Sequence, residues 1–310
     1  MPRRTSLNVA IIGAGRVGSV LGRILAEEGE RVVCVVSRSG ASARKAGRFI
    51  GCRRTTTDLA ALPRETDCVF ITTPHGAVGD VARALAQVDH LNFRTLSACH
   101  ASGMHTAAVL EPLQRRGATV FSFHPLQTFP RDFEPRRIVP SARGIYYGVD
   151  GSTKGIRMAR LLAKKLGGHV VLIPAEMRVL YHAACVVASN HLTTMMSVLQ
   201  TMFGRMEGRG REYFSVFRPI LMATLENVAA TSPAEALSGP IARGGIETVE
   251  GHLEAVQEYV PSLLPYFAAV SLETVRLSLS KGSINVAQAS SMDALIRSYL
   301  RQSSKEQEQR

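Results

Sequence analysis

Long hydrophobic runs are absent from this 310-residue chain: its apolar stretches are short and punctuated, and none reaches membrane-spanning length. That excludes a membrane-embedded helix and, with it, a membrane partner. Cysteines are few and poorly placed for ligation. Cys34, Cys52, Cys68, Cys99 and Cys185 are scattered without a CxxC, and no HExxH occurs, so no metal is expected. Several of these thiols fall in predicted strands or helices, as buried cysteines of a reducing cytoplasm do. The chain is also short of acid, with a formal charge of +12. Its basic residues come in small separate groups, among them Arg53-Arg54, Arg115-Arg116, Arg136-Arg137 and Lys164-Lys165. No aromatic platform lies beside them, which argues against nucleic acid as the main partner. The excess charge reads as solubility and attraction of small anions. The basic start, MPRRTSLN, leads into a strand rather than an apolar signal segment.

What is present begins with LNVAIIGAGRVG, Leu7 to Gly18. An apolar run ends in Gly13-Ala14-Gly15-Arg16-Val17-Gly18, and the helical pattern SVLGRILAEEG follows at once. Strand, glycine turn and helix start stand in the order that a dinucleotide's pyrophosphate needs. Gly13 permits the sharp turn, Gly15 lets the backbone approach the phosphates, and Gly18 lets helix pack on strand. The helix N-terminus then offers free N–H groups and the positive end of its dipole. The plain alternative is a structural glycine turn in an α/β sheet.

The second strand, RVVCVV, ends at Ser37-Arg38-Ser39. An NAD site places an acid about twenty residues past the glycines, against the ribose 2′-hydroxyl. None occurs here. Two hydroxyls and a guanidinium suit a 2′-phosphate, so the expected cofactor is NADP(H). The alternative for Arg38 is a solvated loop residue.

Strand and helix patterns alternate from Leu7 to about Pro174, as in a doubly wound parallel sheet. Strands are expected at Val9–Ile12, Arg31–Val36, Cys68–Thr72, Arg94–Ala98, Thr119–Phe123, Gly144–Gly148 and His169–Ile173. A long Pro/Arg-rich loop from Pro125 to Ala142 interrupts them. After Pro174 only helices are expected. The first, Ala175 to about Met206, is apolar nearly all round and so is expected to be buried. Helices over Arg211–Ala230, Ile246–Tyr259 and Ser262–Lys281 follow, and a last one ends near Arg301. The reading is α/β: a Rossmann-type doubly wound parallel sheet over 1–174, an all-α domain over 175–302, and a polar disordered tail over 303–310. Long apolar helices often bury a dimer face, so a homodimer is expected, the alternative being a monomer with a large helical core.

Ligands of open α/β sheets bind beyond the carboxyl ends of the strands. Thr73-Pro74 is expected to flank the ribose and nicotinamide. Ser102 and Gly103 can present a hydroxyl and a backbone N–H to a substrate, and His124, with Gln127 and Thr128 after it, leaves its strand towards the same crevice. In the helical region, His182 and Asn190 fall within about a quarter turn of each other, whereas His191 falls opposite. Carbonyl or imine reduction needs a proton donor, for which His124 or His182 serves, and an amide such as Asn190 holds the developing oxyanion. Both histidines have the alternative of satisfied core residues. His75, His90, His105, His169 and His252 read as surface or structural. In SGPIARGG, Ser238 to Gly245, Arg243 can bind a substrate carboxylate or simply sit in a helix-to-helix turn.

GAGRVG, CHASG, HPLQTF, YHAACVVASNH and SGPIARG, in that order, resemble bacterial Rossmann-like proteins carrying the DUF2520 domain. The resemblance runs to about residue 300, and it implies NADP-dependent oxidoreductases. Their architecture is similar to that of pyrroline-5-carboxylate reductase, ketopantoate reductase and prephenate dehydrogenase, with a second domain of the 6-phosphogluconate dehydrogenase C-terminal type. His124-Pro125 also resembles a short motif of prephenate dehydrogenases. The expected function is transfer of a hydride to or from a small anionic keto or imino substrate in the interdomain cleft. The alternatives are a non-catalytic NADP(H)-binding sensor or assembly module and an F420-linked NADP reductase.

Overall fold

The protein is described by a computed structural model over residues 6–206 and 212–308, with side chains as far as Gln302. It divides into two compact units, one up to Ser189 and the other from Asn190.

The first unit opens with β1 (Asn8–Ile12), α1 (Arg16–Glu27), β2 (Arg31–Val36), α2 (Gly40–Ile50) and a two-residue β3 (Thr55–Thr56). Next come β4 (Cys68–Ile71), α3 (Val78–Leu85), β5 (Ser97–His100), α4 (Glu111–Arg115) and β6 (Thr119–Ser122). These six strands are parallel, in the order β3-β2-β1-β4-β5-β6. Each strand of β1, β4, β5 and β6 is buried along its whole length. That is why they read as unbroken apolar runs: helices cover both faces of a parallel sheet. Alternate residues separate the faces. Val9, Ile11, Val35, Phe70 and Phe121 join the core that includes Leu21 and Ile24 of α1. Ala10, Ile12, Cys34, Val36, Val69 and Ile71 join the core that includes Val78 and Leu85 of α3.

The sheet stops at β6. Beyond it lie β7 (His124–Pro125), α5 (Pro135–Ile138), β8 (Tyr146–Val149), α6 (Thr153–Lys165) and β9 (His169–Leu172). Strands expected at 144–148 and 169–173 as further members of the parallel sheet form a separate three-stranded sheet, β7-β8-β9. The reason is direction. The chain after β8 meets β6 antiparallel, through a Phe121–Gly151 bridge and the bond from Ser122 N to Asp150 O (3.0 Å). It therefore cannot extend the parallel ladder. β7 pairs antiparallel with β8, placing His124 opposite Gly148. The stretch 125–142 is accordingly not all loop, since it holds the end of β7, α5 and a 3₁₀ turn at Pro140–Ala142.

The expected single helix over 175–206 is interrupted. A 3₁₀ turn at Ala175–Met177 leads into α7 (Arg178–Val186), then five residues wound as π-helix (Val187–His191), then α8 (Leu192–Gly204). The second unit continues with α9 (Tyr213–Ala230), a short α10 (Pro233–Ala236), α11 (Ile246–Tyr259), α12 (Leu264–Lys281) and α13 (Val286–Glu308). Arg211, the expected start of α9, lies outside the described residues. Its core is built by α11, α12 and α13, with Leu253, Leu264, Ala268 and Ile296 fully buried. The expectation that the first long helix is buried is corrected: α8 and α9 hold no buried residue at all, and Ile220 is 64 % exposed. Apolar composition reports that a helix wants covering, not which chain covers it. The stretch 303–308, expected to be a disordered tail, continues α13, since Lys, Glu and Gln are good helix formers. Gln309 and Arg310 lie outside the described residues.

Candidate functional site

A groove of about 720 Å³ runs along the carboxyl ends of β1, β2, β4 and β5. The glycine turn forms its floor. Gly13 has a φ of +112°, and a Cβ there would lie 2.7 Å from the Thr72 carbonyl carbon. A Cβ on Gly18 would lie 2.2 Å from Gly13 O, so α1 can start this close to β1 only with glycine at that position. Gly15 faces open space, leaving the first N–H groups of α1 uncovered. Thr72 Oγ1 donates to Gly13 O (2.8 Å) and Gly13 N donates to Val36 O (2.8 Å), which fixes the turn from both neighbouring strands.

Of the expected cofactor residues, Gly13, Ala14, Gly15, Val17, Ser37, Arg38, Thr73 and Pro74 line this groove, and Ser102 lines it too. Ser39 does not: its hydroxyl accepts from Ser42 N (3.4 Å) as the N-cap of α2. Ser42 and Thr57 supply hydroxyls to the groove instead. The Arg16 guanidinium donates to Arg131 O. Gly18 packs beneath. No carboxylate lines the groove, and the buried Thr73 Oγ1 has no partner among the described residues. An uncovered helix N-terminus, an unpaired hydroxyl and a carboxylate-free wall with Arg38 at the β2 end fit an anionic dinucleotide.

Beyond Thr73-Pro74 the chain gathers five of its nine histidines. Ring centroids run His100–His105 6.5 Å, His105–His75 6.3 Å, His75–His182 5.8 Å and His182–His124 6.1 Å. His75, His100 and His105, expected to be surface or structural where they were singled out at all, are part of this array. Ser102 is the link to the groove. Its Oγ accepts from Met104 N (3.3 Å) and His105 N (3.2 Å), so its proton goes to His75 Nδ1 at 2.6 Å. His75 itself is exposed. His124 Nδ1 pairs with Tyr181 Oη at 2.8 Å. Two glycines make the crowding possible. A Cβ on Gly103 would lie 2.5 Å from His182 Cδ2 and 2.8 Å from His124 Nε2, and one on Gly148 would lie 2.3 Å from Tyr181 Oη.

Arg178 holds the cluster from behind. It is 1 % exposed, and its guanidinium donates to Gly103 O (3.0 Å), Ser102 O (3.0 Å) and Gly148 O (3.4 Å), with Asp150 Oδ1 at 3.6 Å. Burial pushes His124 down to about 3, helped by the charge of Arg178 and by His182, His75 and His100. Burial likewise holds His100 at about 4 and lowers His75. His124 is therefore a neutral ring at pH 7, not the charged proton donor that its residue type suggests. Burial raises the Tyr181 hydroxyl above its usual range, so it stays protonated and can donate to His124.

Arg178 and Tyr181 belong to this cluster, and sequence reasoning gave neither of them a role. A signal existed: 178, 181 and 182 stand at i, i+3 and i+4, one face of α7. Gln127 and Thr128 are taken up locally, Gln127 Nε2 donating to Ser141 O (2.5 Å) and its Oε1 accepting from Thr128 N (2.7 Å). Asn190 begins the second unit, and the regular 3.6-residue count from His182 does not reach it, because Val187–His191 is wound as π-helix. Arg243, exposed on a 3₁₀ turn closed by Gly244 in the left-handed region, also belongs to the second unit. Among the described residues no three His, Cys, Asp or Glu side chains are placed to hold a metal ion.

Residues 2–125 match the sequence family described as a Rossmann-like domain, and residues 145–274 match the one described as domain of unknown function DUF2520. The chain carries a Rossmann-like domain followed by a DUF2520 domain. The bond between His124 and Tyr181 thus joins a Rossmann-like residue to a DUF2520 residue. No curated protein sequence matches this chain. Among solved structures it is similar to a candidate NADP oxidoreductase from Bacteroides fragilis, at 21 % identity and a TM-score of 0.65, covering 90 % of this chain and 98 % of that one. It is similar to prephenate dehydrogenase from Aquifex aeolicus, solved with hydroxyphenyl propionate and NAD+, at 16 % identity and a TM-score of 0.53, covering 89 % and 99 %. A reductive aminase from Aspergillus terreus, solved with NADPH and ethyl-5-oxohexanoate, gives 14 % identity and a TM-score of 0.58, covering 96 % and 95 %. At these identities the likeness establishes the Rossmann-plus-helical fold.

Proposed function

We propose that this chain is an NADP(H)-dependent oxidoreductase acting on a small anionic keto or imino compound. The observation that carries the reading is the groove: a glycine turn at an open helix N-terminus, the unpaired Thr73 hydroxyl, and Ser37, Arg38, Ser42 and Thr57 at the β2 end with no carboxylate beside them. The similar Rossmann-plus-helical structures named for dehydrogenase and aminase activities, with NAD+ or NADPH bound, support the same direction. The cofactor supplies or accepts the hydride. Gly13, Ala14, Gly15 and Val17 take the pyrophosphate, Thr73-Pro74 the nicotinamide ribose, and Arg38 with its hydroxyl neighbours the 2′-phosphate. At the reacting end, Ser102 exchanges its proton with solvent through His75, while neutral His124, with His182 beside it, offers hydrogen bonds to the substrate heteroatom. Asn190 and Arg243 are the residues of the second unit assigned to the oxyanion and the carboxylate.

The uncovered apolar faces of α8 and α9 are assigned to a second copy of the chain, making a homodimer. Among the described residues no helix is long and apolar enough to cross a membrane. With buried free thiols at Cys34, Cys52, Cys68 and Cys99, we place the protein in the cytoplasm. The test is a side-by-side nicotinamide-fluorescence titration with NADPH and NADH, followed by a carbonyl and imine panel. Micromolar or tighter NADPH binding, well ahead of NADH, and oxidation of NADPH by a panel member are expected. Binding of neither sinks the oxidoreductase reading. NADPH binding without turnover of any panel member leaves a non-catalytic binding module.

A further inference from the structure

One groove-lining residue does not come from a strand end or from the elements that follow β1 to β5. Arg131 belongs to the segment between β7 and α5, 115 positions from the glycine turn. That segment is tied over the turn from two helices. The Arg16 guanidinium, in the first residue of α1, donates to the Arg131 carbonyl, and Lys45 of α2 reaches Glu134 at 3.6 Å. Arg131 thus spends its peptide oxygen on the anchor. Its guanidinium has no hydrogen bond or ion pair among the described residues, and neither has that of Arg38. Two exposed, unpaired guanidiniums therefore share a groove that no carboxylate lines. Two like charges placed this way repel each other until an anion joins them.

We infer that Arg131 is a second cationic ligand of the bound dinucleotide, its guanidinium holding the pyrophosphate. The inference rests on the dinucleotide reading of the groove. It divides the phosphates between two arginines. Arg38, at the end of β2, takes the 2′-phosphate, and Arg131, anchored at the first turn of α1, takes the pyrophosphate that NADPH and NADH share. The segment from Leu126 to Glu134 is then part of the cofactor site rather than a connection.

The test uses the full chain and three probes: NADPH, NADH and adenosine 2′-monophosphate, which lacks the pyrophosphate. Arg131→Ala is expected to weaken NADPH and NADH alike by roughly tenfold, the size of one charge-assisted hydrogen bond, and to leave adenosine 2′-monophosphate within about twofold. Arg38→Ala is expected to do the reverse, weakening NADPH and adenosine 2′-monophosphate and sparing NADH. Arg137→Ala, on α5 with its guanidinium over the Phe133 ring, removes a charge of the same region without touching the groove and is expected to change nothing. Arg131 is exposed, so its replacement does not threaten folding. If Arg131→Ala binds both dinucleotides as the wild type does, or loses only the 2′-phosphorylated probes, the assignment falls while the Arg38 result still speaks for the cofactor. A wild type that binds no dinucleotide overturns both.

Discussion

Lowering the pH should destabilise this protein through His100, and the size of the effect follows from the ring's surroundings. His100 is fully buried at the end of β5. Its Nδ1 accepts from Ser102 N at 3.2 Å, so the ring proton sits on Nε2, which donates to Thr106 O at 3.0 Å. Both nitrogens are used, and a second proton has nowhere to bond. Burial, with the nearby Arg178 charge adding to it, holds the group at about 4 against an ordinary 6.5. Between those values the unfolded chain binds a proton that the folded chain refuses. Stability is therefore complete above pH 6.5, falls as the pH drops through the window, and levels off below 4. Each unit is worth about 1.4 kcal/mol, so by pH 5 the loss from this one ring is about 2 kcal/mol. Urea unfolding of the wild type and His100→Asn at pH 8 and pH 5 isolates it. Asparagine keeps an acceptor for Ser102 N but takes up no proton. The variant should be the less stable protein at pH 8, and the gap should narrow by about 2 kcal/mol at pH 5. An unchanged gap refutes the argument.

Gly103→Ala should cost about 1–3 kcal/mol in thermal unfolding followed by circular dichroism, since the added methyl overlaps the His124 and His182 rings. A melting temperature equal to wild type would mean those rings have room. Arg178→Met should cost about 3–5 kcal/mol, because it strips three carbonyls and Asp150 of their buried cation. In any folded fraction it should also raise the titration point of His124, read by imidazole ¹⁵N NMR, and a ring that still titrates as in the wild type would clear Arg178 of lowering it. Tyr181→Phe removes the partner of His124 Nδ1 and should cost about 1 kcal/mol in denaturant unfolding.

The parts of the fold that local physics dictates were legible. Strands β1 and β4 read as apolar runs because they are buried along their whole length, and α11 was bounded at Ile246 and Tyr259 because the SGPIARGG turn precedes it and Val260-Pro261 follows. The second sheet was not legible. Its first strand is two residues long, one of them proline, and exists only because Tyr147 and Gly148 arrive from more than twenty positions away. Nor could composition say that α8 and α9 hold no buried residue: an apolar helix reads the same in sequence whether its faces are covered or not.

The site divides the same way. The glycine turn is a local device, and a twelve-residue window holds all of it. The histidine array is not local: His75 follows β4, His100 and His105 bracket the end of β5, His124 opens β7, and His182 lies on α7. Each looks ordinary alone, and only sheet order brings them to one end. What the sequence did carry, unread, was glycine used for space. Gly103 and Gly148 both lie outside the left-handed region, so neither is required by its backbone conformation. Each is instead the point where a ring from α7 meets the sheet, His182 at one and Tyr181 at the other. A glycine inside a strand or just past its end, where no turn requires it, marks a close approach by another element. Read that way, CHASG and YYGV already name two surfaces that the histidine-bearing helix must touch.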